Sequence, residues 1–195
     1  MISGPSLKKT VYIFIDASNL WQAQKAKGTL FDYEKLLHHL KSEFSADTIK
    51  VFYYSAYPAN GTRAYSLDSR HKFFTYLKKG LGFVVRKKEL KRIVIHAESG
   101  DSYEEKGNMD VELTIDAIHF KHAYQTAVFF TGDSDFLAPV TYLRKSGKKV
   151  YVFSSKNHVS RELRTGADGY VDIFDIKRDI WRRDVEYREK SKPKQ

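Results

Sequence analysis

Four aspartates in this chain stand where carboxylate chemistry can be done. Val11-Tyr12-Ile13-Phe14-Ile15 reads as a buried strand and runs straight into Asp16, with Asn19 three residues on. Ala127-Val128-Phe129-Phe130 reads as another and runs into Thr131-Gly132-Asp133, with Asp135 two residues later. Asp110 opens a helical stretch after Lys106-Gly107-Asn108. In a doubly wound sheet, ligands bind beyond the carboxyl ends of the strands. Four carboxylates converging there repel one another unless protons or a divalent cation neutralise them. Hard oxygen donors in a chain without cysteine point to Mg²⁺ or Mn²⁺.

Each of these residues also has a plainer role open to it. Asp16 and Asp133 suit the N-cap of a following helix. Asp135 suits the positive end of a helix dipole, and Asn19 suits a left-handed turn. Ser18 and Ser134 read as ordinary loop residues. Capping alone does not explain why Asp133 and Asp135 recur at the same end of the sheet as Asp16. Lys106, beside the cluster, suits a phosphate grip or an ordinary surface position. Asp116 is about 120° around the helix from Asp110, so the two cannot point the same way; Asp110, in the first turn, is preferred, and Asp116 is a second candidate whose plainer role is to pair with His119 at i+3. The seven histidines show no paired zinc spacing.

Short apolar runs alternate with helix-like stretches, as in a mostly parallel α/β sheet with helices on both faces. Further strands are expected at Ile49–Ala56, Val150–Phe153 and Val171–Phe174. Phe83–Val85 and Arg92–His96 flank a basic stretch and are expected to pair as a hairpin. Helices are expected after Asp32, after Asp68, over Asn108–Ala123, over Ser134–Ser146 with Gly147 as the stop, and over Ser160–Arg164. The 108–124 helix carries two apolar stripes. One is Val111, Ile115, Ile118 and His122; the other is Met109, Leu113, Ala117, Phe120 and Tyr124. They fit deep burial or a homodimer contact. The run 99–107 is polar and reads as a mobile loop. The division expected is one domain over 8–176 and a basic helix and tail over 177–195.

The 195 residues carry 34 Lys and Arg against 24 Asp and Glu, a formal net charge of +10. Residues 78–92 hold seven basic side chains against one acidic, and residues 177–195 hold eight against four. The rest of the chain is balanced. Localised positive charge suits a polyanion, nucleic acid first. Arg86, Lys87 and Lys88 are the candidate backbone contacts, and Tyr53, Tyr54, Tyr57 and Tyr65 are candidates for base stacking. No apolar run approaches the ~18 residues of a membrane span, and the first ten residues do not read as a signal peptide. With no cysteine there is no disulfide and no thiolate metal site, so a cytoplasmic setting is expected.

Three segments resemble the signatures of NYN domains, the PIN-like nuclease domains that include the bacterial LabA-like branch. They are Phe14-Ile15-Asp16-Ala17-Ser18-Asn19-Leu20, Lys106-Gly107-Asn108-Met109-Asp110-Val111 and Thr131-Gly132-Asp133-Ser134-Asp135-Phe136. The later run Gly147–Val152, with Ser160, Leu163 and Ala167-Asp168-Gly169-Tyr170-Val171, is similar to that branch too. The resemblance implies a Rossmann-like PIN fold and a metal-dependent nuclease site acting on RNA. Its acidic residues would be Asp16, Asp110, Asp133 and Asp135, supported by Asn19. Ala17 stands where a glycine is frequent, and one extra residue separates Gly107 from Asp110. An RNA-binding or adaptor module without turnover is the alternative. An aspartyl phosphatase is disfavoured, because Ser18 stands where a second carboxylate is needed.

Overall fold

The computed structural model describes residues 8–58, 68–96 and 102–184. In chain order the elements are β1 (Thr10–Asp16), α1 (Ala17–Lys27), β2 (Thr29–Phe31), α2 (Tyr33–Glu43), β3 (Thr48–Tyr57), α3 (Asp68–Thr75), β4 (Val84–Glu89), β5 (Lys91–Ile95) and β6 (Ser102–Lys106). There follow α4 (Asp110–His119), β7 (Thr126–Phe130), α5 (Leu137–Lys145), β8 (Lys149–Ser154), α6 (Arg161–Gly166), β9 (Gly169–Asp172) and β10 (Trp181–Asp184). Among the described residues no helix is long and apolar enough to cross a membrane.

Six strands form one sheet in the order β4-β3-β1-β7-β8-β9, every neighbouring pair parallel. This is the α/β architecture expected from the sequence. The strands read as continuous apolar runs because both faces are covered. Along β1, Val11, Ile13 and Ile15 join one core with Leu20 of α1, Leu36 and Leu40 of α2 and Phe74 of α3. Tyr12 and Phe14 join the opposite core with Leu113 and Ala117 of α4, Val140 and Leu143 of α5 and Leu163 of α6. Phe14 lies 5.4 Å from Phe52 and 5.3 Å from Phe129, centroid to centroid. Rings buried to this degree contribute about 1.5–3 kcal/mol each.

The chain lays strands outward from β1 through β3 to β4, then returns to place β7 on the other side of β1. The gap between the carboxyl ends of β1 and β7 is therefore where the winding direction reverses. Such a switch point opens a crevice, because the loops leaving its two strands part toward opposite faces. Asp16 ends one of these strands, and Asp133 follows the other by three residues.

The structure corrects the expected hairpin. β4 runs on through the basic stretch to Glu89, paired with β3 from Phe52↔Val84 to Tyr57↔Glu89. Only Leu90 then separates it from β5, too short a link for a hairpin turn, and Leu90 N still donates to Tyr57 O at 2.8 Å. β5 pairs instead with β6, antiparallel, from Lys91↔Lys106 to Ile95↔Ser102. Part of the polar run expected as a loop is thus a strand; its residues 99–101 lie outside the described residues.

The C-terminal helix is corrected as well. Trp181–Asp184 is a strand paired with β2, a short strand that sequence patterning did not suggest. Trp181 stacks on Phe31 at 4.0 Å, Lys27 Nζ sits 4.3 Å from the Trp181 ring, and Arg182 bridges Asp32 at 3.0 Å. Those side-chain contacts hold the backbone extended against local propensity. Residues 185–195 lie outside the described residues.

Candidate active site

Asp16 is both a helix cap and a crevice residue, and its two oxygens divide the work. Its Oδ1 accepts from Ser18 N at 2.9 Å, Ser18 Oγ at 2.7 Å and Asn19 N at 3.4 Å. Its Oδ2 accepts from Thr131 Oγ1 at 3.4 Å. The residue is only 8% exposed. Burial pushes its pKa up, against the opposing pull of the hydrogen bonds from Ser18, Asn19 and Thr131. Ser18 is therefore more than the ordinary loop residue its type suggests. Asn19 Oδ1 accepts from Ser154 Oγ at 3.4 Å, which ties the start of α1 to the end of β8.

The Thr-Gly-Asp run after β7 is shaped by close packing. The Thr131 hydroxyl, fully buried, donates to Asp16 and accepts from Asp133 N at 3.3 Å, so one oxygen couples the two strand ends. Gly132 lies against the loop after β8. A Cβ there would stand 2.2 Å from His158 O and 2.6 Å from Ser154 Oγ, so no larger residue fits. Gly132 O accepts from Ser160 N at 2.9 Å. Asp133 leaves this turn in an extended conformation, caps the short turn Ser134–Phe136, and accepts from Asp135 N at 3.0 Å. Thr131 and Gly132 are visible in the sequence motif, but only the packing shows what they do.

Asp110 enters from α4, whose first residue it is. The Asn108 side-chain amide donates to its Oδ2, which gives the extra residue before α4 a role. Carboxylate oxygens of Asp110, Asp133 and Asp135 all lie within 4.8 Å of one another. Asp16 does not share that spacing but stands near enough to act on the group. The Asp110 pKa is pushed up to about 6, first by burial and then by the charges of Asp16, Asp133, Asp135 and Glu112. Like charges this close oppose ionisation. Three hard oxygen donors gathered this closely, with no lysine or arginine bridging them among the described residues, fit a small divalent cation.

Most of the remaining candidates lie on β3, β4 and β6. Arg86 lies beside Tyr54, itself beside Asp16, in the sheet register. Its guanidinium pairs with Asp116 at 3.1 Å, and Tyr54 OH donates to the same carboxylate at 2.9 Å. Asp116 thus belongs to a strut between α4 and the sheet edge, and its partners are Tyr54 and Arg86 rather than His119. Lys88 bridges Glu112 in the first turn of α4 at 2.7 Å. Strand alternation turns Lys87 the other way, 5.7 Å from the rings of Tyr57 and Phe74. Lys106 sits on β6 and pairs with Glu104 at 3.3 Å. Two tyrosines expected to stack on bases are corrected by burial: Tyr53 and Tyr54 lie in the two cores. Tyr57 packs edge-on against His71 and Phe74, and Tyr65 is outside the described residues.

The NYN domain family model matches residues 10–174, from the start of β1 to just beyond β9. The chain belongs to the NYN domain family. Low amplitude and bright protein LabA from Synechococcus elongatus is 30% identical over 166 residues, covering 85% of this chain and 84% of that protein. Among solved structures, a protein of unknown function, VPA0982 from Vibrio parahaemolyticus, superposes with a TM-score of 0.67 at 24% identity. It covers 91% of this chain and 99% of its own. That likeness supports the fold. The NYN match spans every element that shapes the crevice and ends before β10.

Proposed function

We propose that this NYN domain is a divalent-metal-dependent ribonuclease working in the cytoplasm. The observation that carries the reading is the meeting of Asp110, Asp133 and Asp135 oxygens within 4.8 Å at the switch point of the sheet. Asp110, Asp133 and Asp135 would hold Mg²⁺ or Mn²⁺, with Asp16 as the fourth acidic residue behind them. When bound, such an ion lowers the pKa of a coordinated water and draws charge from the scissile phosphate. Thr131 keeps Asp16 and Asp133 in register, and Gly132 lets the loop after β8 close against them. Asn19 steadies the α1 side of the crevice through Ser154. Arg86, Lys88 and Lys106, each already paired with a carboxylate, would add modest positive charge toward approaching phosphates, and Lys87 would meet them only on the opposite face of its strand. Contacts of that kind set position and carry little sequence information.

The test is cleavage of single-stranded RNA, structured RNA and DNA by the full chain, with EDTA, Mg²⁺ or Mn²⁺. Metal-dependent RNA cleavage abolished by Asp133→Asn supports the proposal. Metal-independent RNA binding by the parent, with no cleavage under any condition, would make the domain an RNA-binding module instead.

A further inference from the structure

The β5–β6 ribbon extends past the sheet and buries almost nothing. Every residue of β5 is exposed, and in β6 only Glu105 is half-buried. Ile93, Val94 and Ile95 are 41–43% exposed and Tyr103 is 56% exposed. A free-standing two-stranded ribbon is marginal in water. This one also places Lys91 directly opposite Lys106, a like-charge pairing that weakens a sheet. Its root is nonetheless fixed to the site. Leu90 is hydrogen-bonded to the end of β3 and lies against Gly107, where a Cβ would meet Leu90 Cδ2 at 3.1 Å. Gly107, Asn108 and Met109 then lead to Asp110.

Cross-strand partners share a face, so the two sides of the ribbon differ. One side carries Lys91, Lys106, Ile93 and Glu104. The other carries Arg92 opposite Glu105 and Val94 beside Tyr103, with Arg92 reaching diagonally over the Tyr103 ring at 3.6 Å. A guanidinium laid on an exposed ring, flanked by an apolar side chain, is a flat platform of the kind on which unpaired bases stack. The two lysines lie at the root on the other face, Lys106 beside Glu104 at 3.3 Å, and carry charge complementary to phosphates of a strand that passes around the root.

We infer that the β5–β6 ribbon is a single-strand-binding arm: Arg92, Val94 and Tyr103 stack on unpaired bases, and Lys91 and Lys106 hold phosphates as the strand enters the acidic crevice. The ribbon is about 17 Å long at ~3.4 Å per residue, so it reaches bases beyond those in the crevice. The inference deepens the ribonuclease reading and rests on it for the direction of the strand, but its test is independent of cleavage.

The measurement is fluorescence anisotropy of the full chain in EDTA, with one RNA sequence presented single-stranded and as a duplex. Tyr103→Ala should weaken single-strand binding about tenfold, the loss of one stacked base, and leave the duplex unchanged. Tyr103→Phe should restore most of it, because the ring is kept. Lys91→Ala and Lys106→Ala should each lower the slope of log affinity against log salt by roughly 0.7. Unchanged affinity in Tyr103→Ala, or equal losses on single strand and duplex, overturns the proposal. So does a concentration-dependent self-association that Tyr103→Ala abolishes while RNA affinity stays constant, since the ribbon is then a protein contact. Binding that behaves as expected beside a parent that never cleaves RNA would remove the nuclease reading alone.

Discussion

Two sets of acidic residues in this protein are treated by the fold in opposite ways. Around the periphery several carboxylates are set against cations. Asp32 meets Arg182, Asp116 meets Arg86, Glu112 meets Lys88, and Asp168 lies between Arg144 and Lys149. In the crevice, Asp16, Asp110 and Asp133 accept from hydroxyls, backbone amides and one asparagine. Among the described residues no lysine or arginine bridges any of the four crevice aspartates. The consequence is visible in their proton affinities. Burial raises the pKa of Asp168, but the Val150 amide and the charges of Arg144 and Lys149 outweigh it and leave the pKa lowered. Asp110 is raised to about 6. A protein with cations to spare elsewhere has left its most crowded carboxylates to one another. That arrangement works against stability and suits the binding of an external cation.

The comparison can be broken most decisively at Asp133. Asp133→Asn preserves size and capping ability and removes one crevice charge. Metal-dependent cleavage should fall by more than about 100-fold, beyond the loss seen when a partner of a metal ligand is removed. Single-turnover assays at saturating Mn²⁺ check this. Activity within a few-fold of the parent would reduce Asp133 to a cap like Asp32.

Next in size is Gly132→Ala, which tests whether close packing rather than charge shapes the crevice. The new methyl would collide with the backbone carbonyl of His158. Overpacking of this kind costs about 1–3 kcal/mol, or roughly 2–12 °C in melting temperature for a chain of this size. A thermal melt indistinguishable from the parent would show that the loop after β8 yields freely.

The two groups should also answer pH with opposite signs. A carboxyl whose pKa is raised on folding binds its proton more tightly in the folded state. The Asp110 crevice should therefore gain stability, without metal, as pH falls from about 6 toward its ordinary value of 3.8. Asp110→Asn should abolish that gain and melt higher than the parent at neutral pH in EDTA. For Asp168, whose pKa is lowered, the contribution is present above the ordinary carboxylate range and is lost as pH falls through the folded value. Asp168→Asn should lose stability at neutral pH and little in acid. Melts of the parent and both variants across this range, at fixed ionic strength, decide it. Equal slopes for the two variants would erase the distinction between the two sets of carboxylates.

The smallest effect is expected at Arg86→Gln. Its partner Asp116 keeps the Tyr54 hydroxyl, and the Arg86 side chain is 47% exposed. Half-exposed pairs contribute about 1 kcal/mol or less. Stability should shift by no more than that, and RNA affinity only slightly, because Arg86 is already engaged with α4. A large loss of RNA affinity in titrations would move Arg86 from the strut to the substrate.

How much of this was legible in the chain follows from how local each feature is. Strand-ending aspartates are legible because apolar runs and the residues that follow them are adjacent in sequence. So are helix starts at Asp32, Asp133 and Ser160, since a cap acts two or three residues ahead. Pairing of β5 with β6, and of β2 with β10, is not legible in that way. For β2 with β10 the partner is chosen by contacts between distant residues, Trp181 with Phe31 for instance, 150 positions apart; for β5 the partner is the next strand in sequence, and the polar composition of β6 hid it. The basic stretch read as a loop became strand because β3 offered it an edge.

The amphipathic stripes of α4 show the same division. Spacing defines both stripes, yet only packing decides that Leu113 and Ala117 are buried while Val111 and Ile115 stay 64% and 58% exposed. Sequence by itself determined the parallel α/β class, the NYN signature segments and the identity of the crevice acids, because each rests on short-range pattern. Tertiary structure alone decided that Asp110 meets Asp133 and Asp135, that Asp116 is held away from them by Tyr54 and Arg86, and that Thr131 links two strand ends. Those outcomes depend on the order in which strands lie side by side. Side-chain periodicity carries no information about that order; it emerges only when the whole sheet is buried at once.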